Sequence, residues 1–166
     1  MCRNFDKSYL RIAVEVSKRS YAVRHKVGSV IVKDNQIISD GFNSTPHGFD
    51  NCCETEVKCD GVCGNSKICM TYKYNCNECP HYYLVTKPEV LHAETNAITK
   101  LARSTQSSDG ATLYVTLSPC FDCAKLIIQS GIKRVVYIEK YRSDDGLKLL
   151  EKAGIQVEQI ENINDD

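Results

Sequence analysis

A histidine and a glutamate stand two residues apart in the segment HAETNAI, residues 92–98. Residues two apart on a regular helix point in different directions, so one helical face cannot bring His92 and Glu94 together. Both side chains can reach a common point if His92 lies at the entrance of the helix, outside regular helical geometry. This arrangement predicts that the partners of His92 come from elsewhere in the chain.

Two cysteines in SPCFDCAKL, residues 118–126, can supply those partners. Cys120 and Cys123 are three residues apart at the start of a predicted helix, so their sulfurs can face the same way. The exposed N–H groups at a helix start lower thiol pKa values and favour thiolates. Two thiolates and the imidazole of His92 make three ligands for a tetrahedral zinc ion, whose open fourth position is typical of a catalytic site.

Glu94 is the predicted acid–base catalyst beside that open position. Zinc lowers the pKa of a bound water toward neutral, and a neighbouring carboxylate can take the released proton and pass it on. The alternative interpretation is a structural zinc site in which Glu94 is only a surface charge. The combination of both motifs, each at the start of a helix and with Pro119 in place, favours the catalytic interpretation.

His-x-Glu followed by Pro-Cys-x-x-Cys is a signature of zinc nucleobase deaminases. The chain resembles the cytidine deaminase-like fold and, within it, the deoxycytidylate (dCMP) deaminases, from about residue 7 to 157 apart from much of a cysteine-rich insert. The strongest pieces of the resemblance are RHKVGSVIVKD (24–34), GFNSTPHGFDNC (41–52), HAETNAI (92–98) and TLSPCFDCAKLIIQSGIKRVVY (116–137).

The resemblance implies zinc-dependent hydrolysis of dCMP to dUMP and ammonia, which supplies dUMP for thymidylate synthesis. Glu94 would protonate the ring nitrogen and then the departing ammonia. The resemblance also implies activation by dCTP and inhibition by dTTP, with Mg²⁺ accompanying the effector, in a hexamer. Ser44 stands where many relatives have glycine, so the match at the regulatory segment is partial.

The resemblance also assigns contacts to the nucleoside part of the substrate. Asn43, in the GFN segment, matches an asparagine that contacts the sugar. The backbone N–H of Ala93 would bind the pyrimidine carbonyl, and the carbonyl of Ser118 would accept a hydrogen bond from the amine. A small nucleotide is oriented by a few placed polar groups of this kind.

The 5′-phosphate needs a cation, and two arginines are the predicted candidates. Arg24 precedes a predicted hairpin, at the position of an arginine in the resembled family. Tyr141 and Arg142 follow a predicted strand, where open α/β sheets commonly bind ligands. Arginine makes bidentate contacts with phosphate that lysine cannot make.

The elements that position these residues follow from the periodicity of the chain. An amphipathic helix is predicted over residues 6–19, and a β-hairpin over 27–32 and 36–41, with Asp34-Asn35 at its turn. Helices and strands then alternate: helices over 93–103, 119–130 and 144–153, and strands over 111–117, 133–138 and 155–160. This order predicts one α/β domain with three layers, α/β/α, around a mixed sheet of about five strands.

Residues 44–90 are predicted to be an irregular insert that contains seven of the ten cysteines. The insert has few large apolar residues, so a metal ion would supply the cross-link that it cannot obtain from a core of its own. The spacings suit a second, structural zinc, and the predicted ligands are Cys59, Cys63, Cys76 and Cys79. The alternative is that these thiols bind no metal.

The composition limits the classes of function. The chain has 166 residues and a net charge of +0, without the basic run that polynucleotide binding usually requires. No long apolar run and no secretory leader are visible, so we expect a cytoplasmic protein without a membrane span. The alternatives to a dCMP deaminase are a deaminase of dCTP, a deaminase of a tRNA or other nucleic-acid base, and a non-catalytic zinc-binding module.

Overall fold

The computed structural model describes residues 5–58 and 82–163. In chain order its elements are α1 (Asp6–Ser17), β1 (Gly28–Lys33), β2 (Gln36–Phe42), β3 (Glu54–Lys58), β4 (Tyr82–Thr86), α2 (Ala93–Leu101), β5 (Thr112–Leu117), α3 (Phe121–Gln129), β6 (Arg134–Glu139), α4 (Asp145–Lys152) and β7 (Gln156–Gln159).

The main sheet has five strands in the order β2-β1-β5-β6-β7. Strand β1 pairs antiparallel with both β2 and β5, whereas β5, β6 and β7 run parallel. The β1–β2 hairpin turns at Asp34 and Asn35, whose φ angles are 50° and 60°; such turns favour residues that tolerate positive φ. The predicted mixed sheet of five strands is confirmed.

Neighbouring residues of the inner strands point to opposite faces of the sheet. Since such neighbours are both buried, both faces of the sheet are covered. Ile31, Leu113 and Val135 belong to a core shared with helices α2, α3 and α4. Their neighbours Val30 and Val136 belong to a second core, which includes Leu10 of α1. Three helices therefore cover one face and α1 covers the other, which gives the predicted α/β/α layers.

The insert is more regular than predicted. Strands β3 and β4 form an antiparallel hairpin of their own, in register from Glu54↔Thr86 to Lys58↔Tyr82. The prediction of an irregular segment over 44–90 is therefore wrong for these two strands. Each strand has only five residues, and its partner lies far along the chain, so local periodicity does not reveal the pairing. The four cysteines predicted to hold a second zinc lie outside the described residues.

Helix α3 begins two residues later than predicted. Pro119 precedes the helix, and Cys120 is its N-cap, with an extended backbone (φ −71°, ψ 171°). The proline therefore does not form the first helical turn. It instead belongs to the short connection from β5 to α3.

The functional edge of the sheet lies at the carboxyl ends of β5 and β6, which are parallel neighbours. The N–H of Ser118, just after β5, donates a hydrogen bond of 2.8 Å to the carbonyl of Glu139, the last residue of β6. Ligands commonly bind at such an edge in open α/β sheets. Among the described residues, no helix is long and apolar enough to cross a membrane.

Candidate metal centre and substrate cavity

His92 is the N-cap of α2 and has an extended backbone, with φ −70° and ψ 158°. Glu94 lies in the first turn of the same helix, and both Ala93 and Glu94 are buried. The departure of His92 from helical geometry is what the His-x-Glu spacing predicts. Because of it, the imidazole and the carboxylate can approach one point although they lie two residues apart.

The three predicted metal ligands meet in the structure. Cys120 is the N-cap of α3, and Cys123 lies in its first turn. The sulfurs of Cys120 and Cys123 each lie 3.4 Å from Nδ1 of His92, and the three ligand atoms lie within 4.8 Å of one another. Tetrahedral zinc with bonds of about 2.0 Å to nitrogen and about 2.3 Å to sulfur places such donors about 3.5 Å apart.

The donor set therefore fits a tetrahedral zinc ion by its chemistry and by its spacing. Within residues 5–58 and 82–163 it is also the one group of three or more histidine, cysteine or acidic side chains that is close enough to hold a metal ion. Three protein ligands leave room for a fourth ligand from solution or substrate. Thr95 lies behind the site, with its hydroxyl 3.7 Å from the sulfur of Cys123.

Hydrogen bonds among the three candidate ligands shift their pKa values in different directions. The hydrogen bond from Cys123, helped by one from His92, lowers the pKa of Cys120 to about 4. The same hydrogen bond to Cys120, together with burial, raises the pKa of Cys123. The hydrogen bond with Cys120 also raises the pKa of His92. The cluster thus already holds one thiolate, and a dication replaces the remaining shared protons when it binds.

Glu94 is the buried acid of the site. Its side chain belongs to a residue only 4% exposed, and burial raises its pKa above the ordinary value for a glutamate. A raised pKa brings a carboxyl group closer to neutral pH, where it can both accept and return a proton. The structure therefore provides a group with acid–base capacity next to the three ligands.

A cavity of about 700 Å³ opens beside the candidate metal centre. Its size suits a small molecule. With the exception of Cys123, which is buried behind it, all residues predicted from the sequence at this site line the cavity: Arg24, Asn43, His92, Ala93, Glu94, Ser118, Cys120, Tyr141 and Arg142.

Asn43 has a structural role that the sequence did not indicate. Its Oδ1 accepts the N–H of Val27 at 2.8 Å, and its Nδ2 donates to the carbonyl of His25 at 2.8 Å. The amide thus shapes the loop before β1. An amide oxygen has a second lone pair and an amide nitrogen a second hydrogen, so a contact with the sugar stays a prediction that these bonds allow.

Ser118 holds the loop that carries the other arginine. Its hydroxyl accepts the N–H of Tyr141 at 2.8 Å, and the residue is almost fully buried. The guanidinium of Arg142 lies 5.4 Å from the centre of the Tyr141 ring. The side chain of Ser118 therefore fixes the start of the loop that follows β6.

The hairpin of the insert forms part of the cavity wall, which sequence analysis missed. Glu54 of β3 and both Val85 and Thr86 of β4 line the cavity. Periodicity gave no signal for these residues, because they reach the site only through pairing between two strands far apart in the sequence.

The chain belongs to the family described as the cytidine and deoxycytidylate deaminase zinc-binding region, whose model matches residues 3–139. It is 41% identical over 169 residues to the deoxycytidylate deaminase of Enterobacteria phage T4, and the alignment covers 89% of this chain and 86% of the relative. It is 37% identical over 135 residues to the deoxycytidylate deaminase of Mycobacterium phage D29, and that alignment covers 81% of this chain and 94% of the relative.

Among solved structures, the chain is similar to the dCMP deaminase of cyanophage S-TIM5 in complex with dCMP and dUMP. The TM-score is 0.77 and the identity 37%, over 96% of this chain and 99% of that one. The family resemblance inferred from the sequence is confirmed.

Proposed function

We propose that this chain hydrolyses dCMP to dUMP and ammonia. One observation carries the proposal: His92, Cys120 and Cys123 converge beside the buried Glu94, and His92, Glu94 and Cys120 line a cavity of nucleotide size. The relatives named as deoxycytidylate deaminases support the choice of substrate, as does the similar structure that holds dCMP and dUMP.

Zinc held by the three ligands would supply a water molecule of lowered pKa beside the substrate. Glu94 would take one proton from the attacking water and deliver it to the ring nitrogen, while the water oxygen forms a bond to the adjacent carbon that bears the amine. It would then move the remaining proton of that oxygen to the amine, so that the carbon–nitrogen bond breaks, ammonia leaves and the new carbonyl of dUMP forms. Burial raises the pKa of Glu94, and a carboxyl group of raised pKa suits this alternation because it accepts a proton more readily than an ordinary glutamate.

The remaining contacts orient the nucleotide. The N–H of Ala93 holds the pyrimidine carbonyl, the carbonyl of Ser118 accepts a hydrogen bond from the amine, and Asn43 contacts the sugar. Arg24 and Arg142 line the same cavity, and we assign them, with Tyr141, to the 5′-phosphate end. This assignment is supported by the position of all three residues on the wall of one cavity and by the ability of arginine to bind phosphate with two parallel hydrogen bonds.

Ammonia release is the direct test. We expect steady turnover of dCMP and much slower turnover of dCTP, deoxycytidine and a tRNA anticodon stem. Glu94→Gln should lower kcat by about 10²- to 10⁴-fold, with zinc content unchanged. The matched control is Glu151→Gln, which removes an exposed carboxylate of α4 and should keep full activity. Turnover of the tRNA stem alone would overturn the proposal, and so would a wild-type chain that holds zinc but deaminates none of the four substrates.

We further propose the features that the family resemblance implies: a single domain, a hexamer, activation by dCTP and inhibition by dTTP with Mg²⁺, and a cytoplasmic location without nucleic-acid partners. We also propose a second, structural zinc held by Cys59, Cys63, Cys76 and Cys79. Two zinc ions per chain by elemental analysis, falling to one when Cys76 and Cys79 are replaced by serine, would support that site. Light scattering tests the hexamer, and turnover of dCMP with added dCTP or dTTP tests the regulation.

A further inference from the structure

Glu54 is a buried acid that the proposed chemistry does not use. It is the first residue of β3 and is only 7% exposed. Its two carboxylate oxygens each lie 3.2 Å from the backbone nitrogen of Val23, which donates to them. Oε1 also accepts the N–H of Arg24 at 3.4 Å. A buried carboxylate is stabilised by such bonds, and it in turn fixes the backbone that donates them.

The backbone that Glu54 contacts belongs to an exposed loop. Residues 23–26 are all exposed, and even the apolar Val23 is 74% exposed. Packing therefore cannot set the conformation of this loop. Ala22 provides a buried anchor before it, and the amide of Asn43 provides one after it. Glu54 supports the part between those two anchors.

The cross-strand partner of Glu54 contacts the same arginine at its other end. Glu54 pairs with Thr86 across the β3–β4 hairpin, and the hydroxyl of Thr86 lies 3.5 Å from Nη1 of Arg24. One pair of residues on the hairpin thus contacts Arg24 at both its backbone and its guanidinium. All three residues line the cavity.

We propose that Glu54 is a positioning residue for substrate affinity: it holds the Arg24 loop in the conformation in which the guanidinium meets the 5′-phosphate. The inference rests on the proposed function and gives the hairpin of the insert a part in selecting a nucleotide over a nucleoside. Glu54 acts through Arg24 and does not itself touch the reacting atoms.

Kinetics on two substrates separate this role from a merely structural one. Glu54→Ala should raise KM for dCMP about tenfold or more, the scale of a lost hydrogen bond to a charged group, with kcat within about threefold. The ratio of kcat/KM for dCMP to that for deoxycytidine should fall by a similar factor, because deoxycytidine lacks the phosphate. Glu54→Gln keeps one acceptor oxygen and should be intermediate. The control is Glu56→Ala, an exposed acid of the same strand, which should match wild type.

A double-mutant cycle tests the route through Arg24. Arg24→Ala alone should raise KM for dCMP at least as much as Glu54→Ala does, and the double variant should be no worse than Arg24→Ala. Full additivity of the two effects would overturn the proposal. An equal loss of kcat on both substrates from Glu54→Ala, or a matching loss of zinc, would also overturn it, since each indicates general damage to the site.

Binding separates failure of this inference from failure of the proposed function. In a Glu94→Gln background, calorimetry should show that Glu54→Ala weakens dCMP binding by about tenfold. A wild-type chain that does not turn over dCMP sinks the proposed function, yet the calorimetric comparison still decides the role of Glu54. Equal dCMP affinity with and without the Glu54 carboxylate, or no binding by either variant, refutes the positioning role.

Discussion

Gly41 of β2 packs directly against the backbone of α2. A β-carbon placed on Gly41 would overlap the carbonyl oxygen of Ala93 and would lie 2.5 Å from the backbone nitrogen of Ala97. The first turn of α2 carries Glu94 and follows His92. The close packing of this turn against β2 therefore sets the positions of His92 and Glu94 relative to Cys120 and Cys123.

Replacement of Gly41 by alanine should displace that turn. Because the obstructing atoms belong to the backbone, α2 itself must move, and we expect a loss of stability of about 2 kcal/mol or more. Zinc affinity and turnover should fall with it. Thermal unfolding and the zinc content after dialysis measure both effects.

Gly154→Ala is the matched control for Gly41→Ala. Gly154 has a positive φ of 75°, and nothing lies within 4 Å of a β-carbon placed there. The substitution should cost about 1 kcal/mol of backbone strain and leave the zinc content unchanged. If Gly41→Ala behaves no differently from Gly154→Ala, the close approach of β2 and α2 does not set the site.

The buried acid Glu94 should make the metal-free chain lose stability as pH rises. Burial raises the pKa of Glu94 in the folded state above its unfolded value of about 4.3. Between these two values the folded state holds more protons than the unfolded state. The free energy of unfolding contributed by this group is therefore fully present below about pH 4.3 and is lost as pH rises through the folded pKa.

Glu94→Gln removes this dependence. In metal-stripped protein, the melting temperature of Glu94→Gln relative to wild type should increase from pH 5 to pH 8, although the variant is inactive. Calorimetric or circular-dichroism melts at several pH values measure the difference. A difference that stays constant or shrinks with rising pH would contradict the burial of an ionisable carboxyl group there.

Cys120 should react as a thiolate in the metal-free chain. Its pKa is lowered to about 4 by the hydrogen bond from Cys123 and by His92, so the thiolate fraction is already complete at pH 6. Alkylation by iodoacetamide, followed by mass spectrometry of the modified peptide, should proceed at nearly the same rate at pH 6 and pH 8. Cys123, buried and with a raised pKa, should react far more slowly.

A free thiol such as N-acetylcysteine serves as the reference in that experiment. Its thiol pKa lies well above pH 8, so its rate rises nearly tenfold per pH unit between pH 6 and pH 8. A similar rise at Cys120 would show that the hydrogen bonds of the cluster do not stabilise its thiolate. Zinc should protect both cysteines, which provides an independent check on the ligand set.

Asp6 and Arg134 form the main ion pair that ties α1 to the sheet. The guanidinium donates two parallel hydrogen bonds to the carboxylate, at 2.8 and 2.7 Å, and the hydroxyl of Tyr114 donates a third, at 2.6 Å. Asp6 is buried. Asp6→Asn leaves Arg134 with the more exposed Glu158 as its remaining carboxylate partner and weakens three hydrogen bonds to a buried group, so it should lower the free energy of unfolding by about 1–3 kcal/mol, as measured by urea titration.

The pair lies away from the metal ligands, so kcat of Asp6→Asn should stay near wild type at temperatures where the chain is folded. Asp40→Asn is the control. Asp40 contacts Arg19 and Lys100 at 3.5 and 3.3 Å in partly exposed pairs, and its loss should cost less than about 1 kcal/mol. Equal effects of the two substitutions would argue against the Asp6 network as a stabilising feature.

The sequence by itself predicted the three candidate metal ligands and the layers of the fold, because both depend on local spacing. Cys120 and Cys123 share a predicted helix start, and the regular alternation of helices and strands after the insert predicts a sheet that is covered on both faces. The extended backbone of His92 was also predictable, since a regular helix cannot bring it together with Glu94. Each of these patterns is contained in a few consecutive residues.

Only the tertiary structure decided how the wall of the cavity near Arg24 is built. The hairpin of the insert and the bonds of Glu54 to the loop before β1 join segments about thirty residues apart. Asn43 similarly closes on a loop sixteen residues earlier. The spacing of residues along the chain does not predict such contacts, because a carboxylate or an amide oxygen can accept a hydrogen bond from any N–H group that the fold brings within reach. Their partners become fixed only when the strands have paired and the loops have closed.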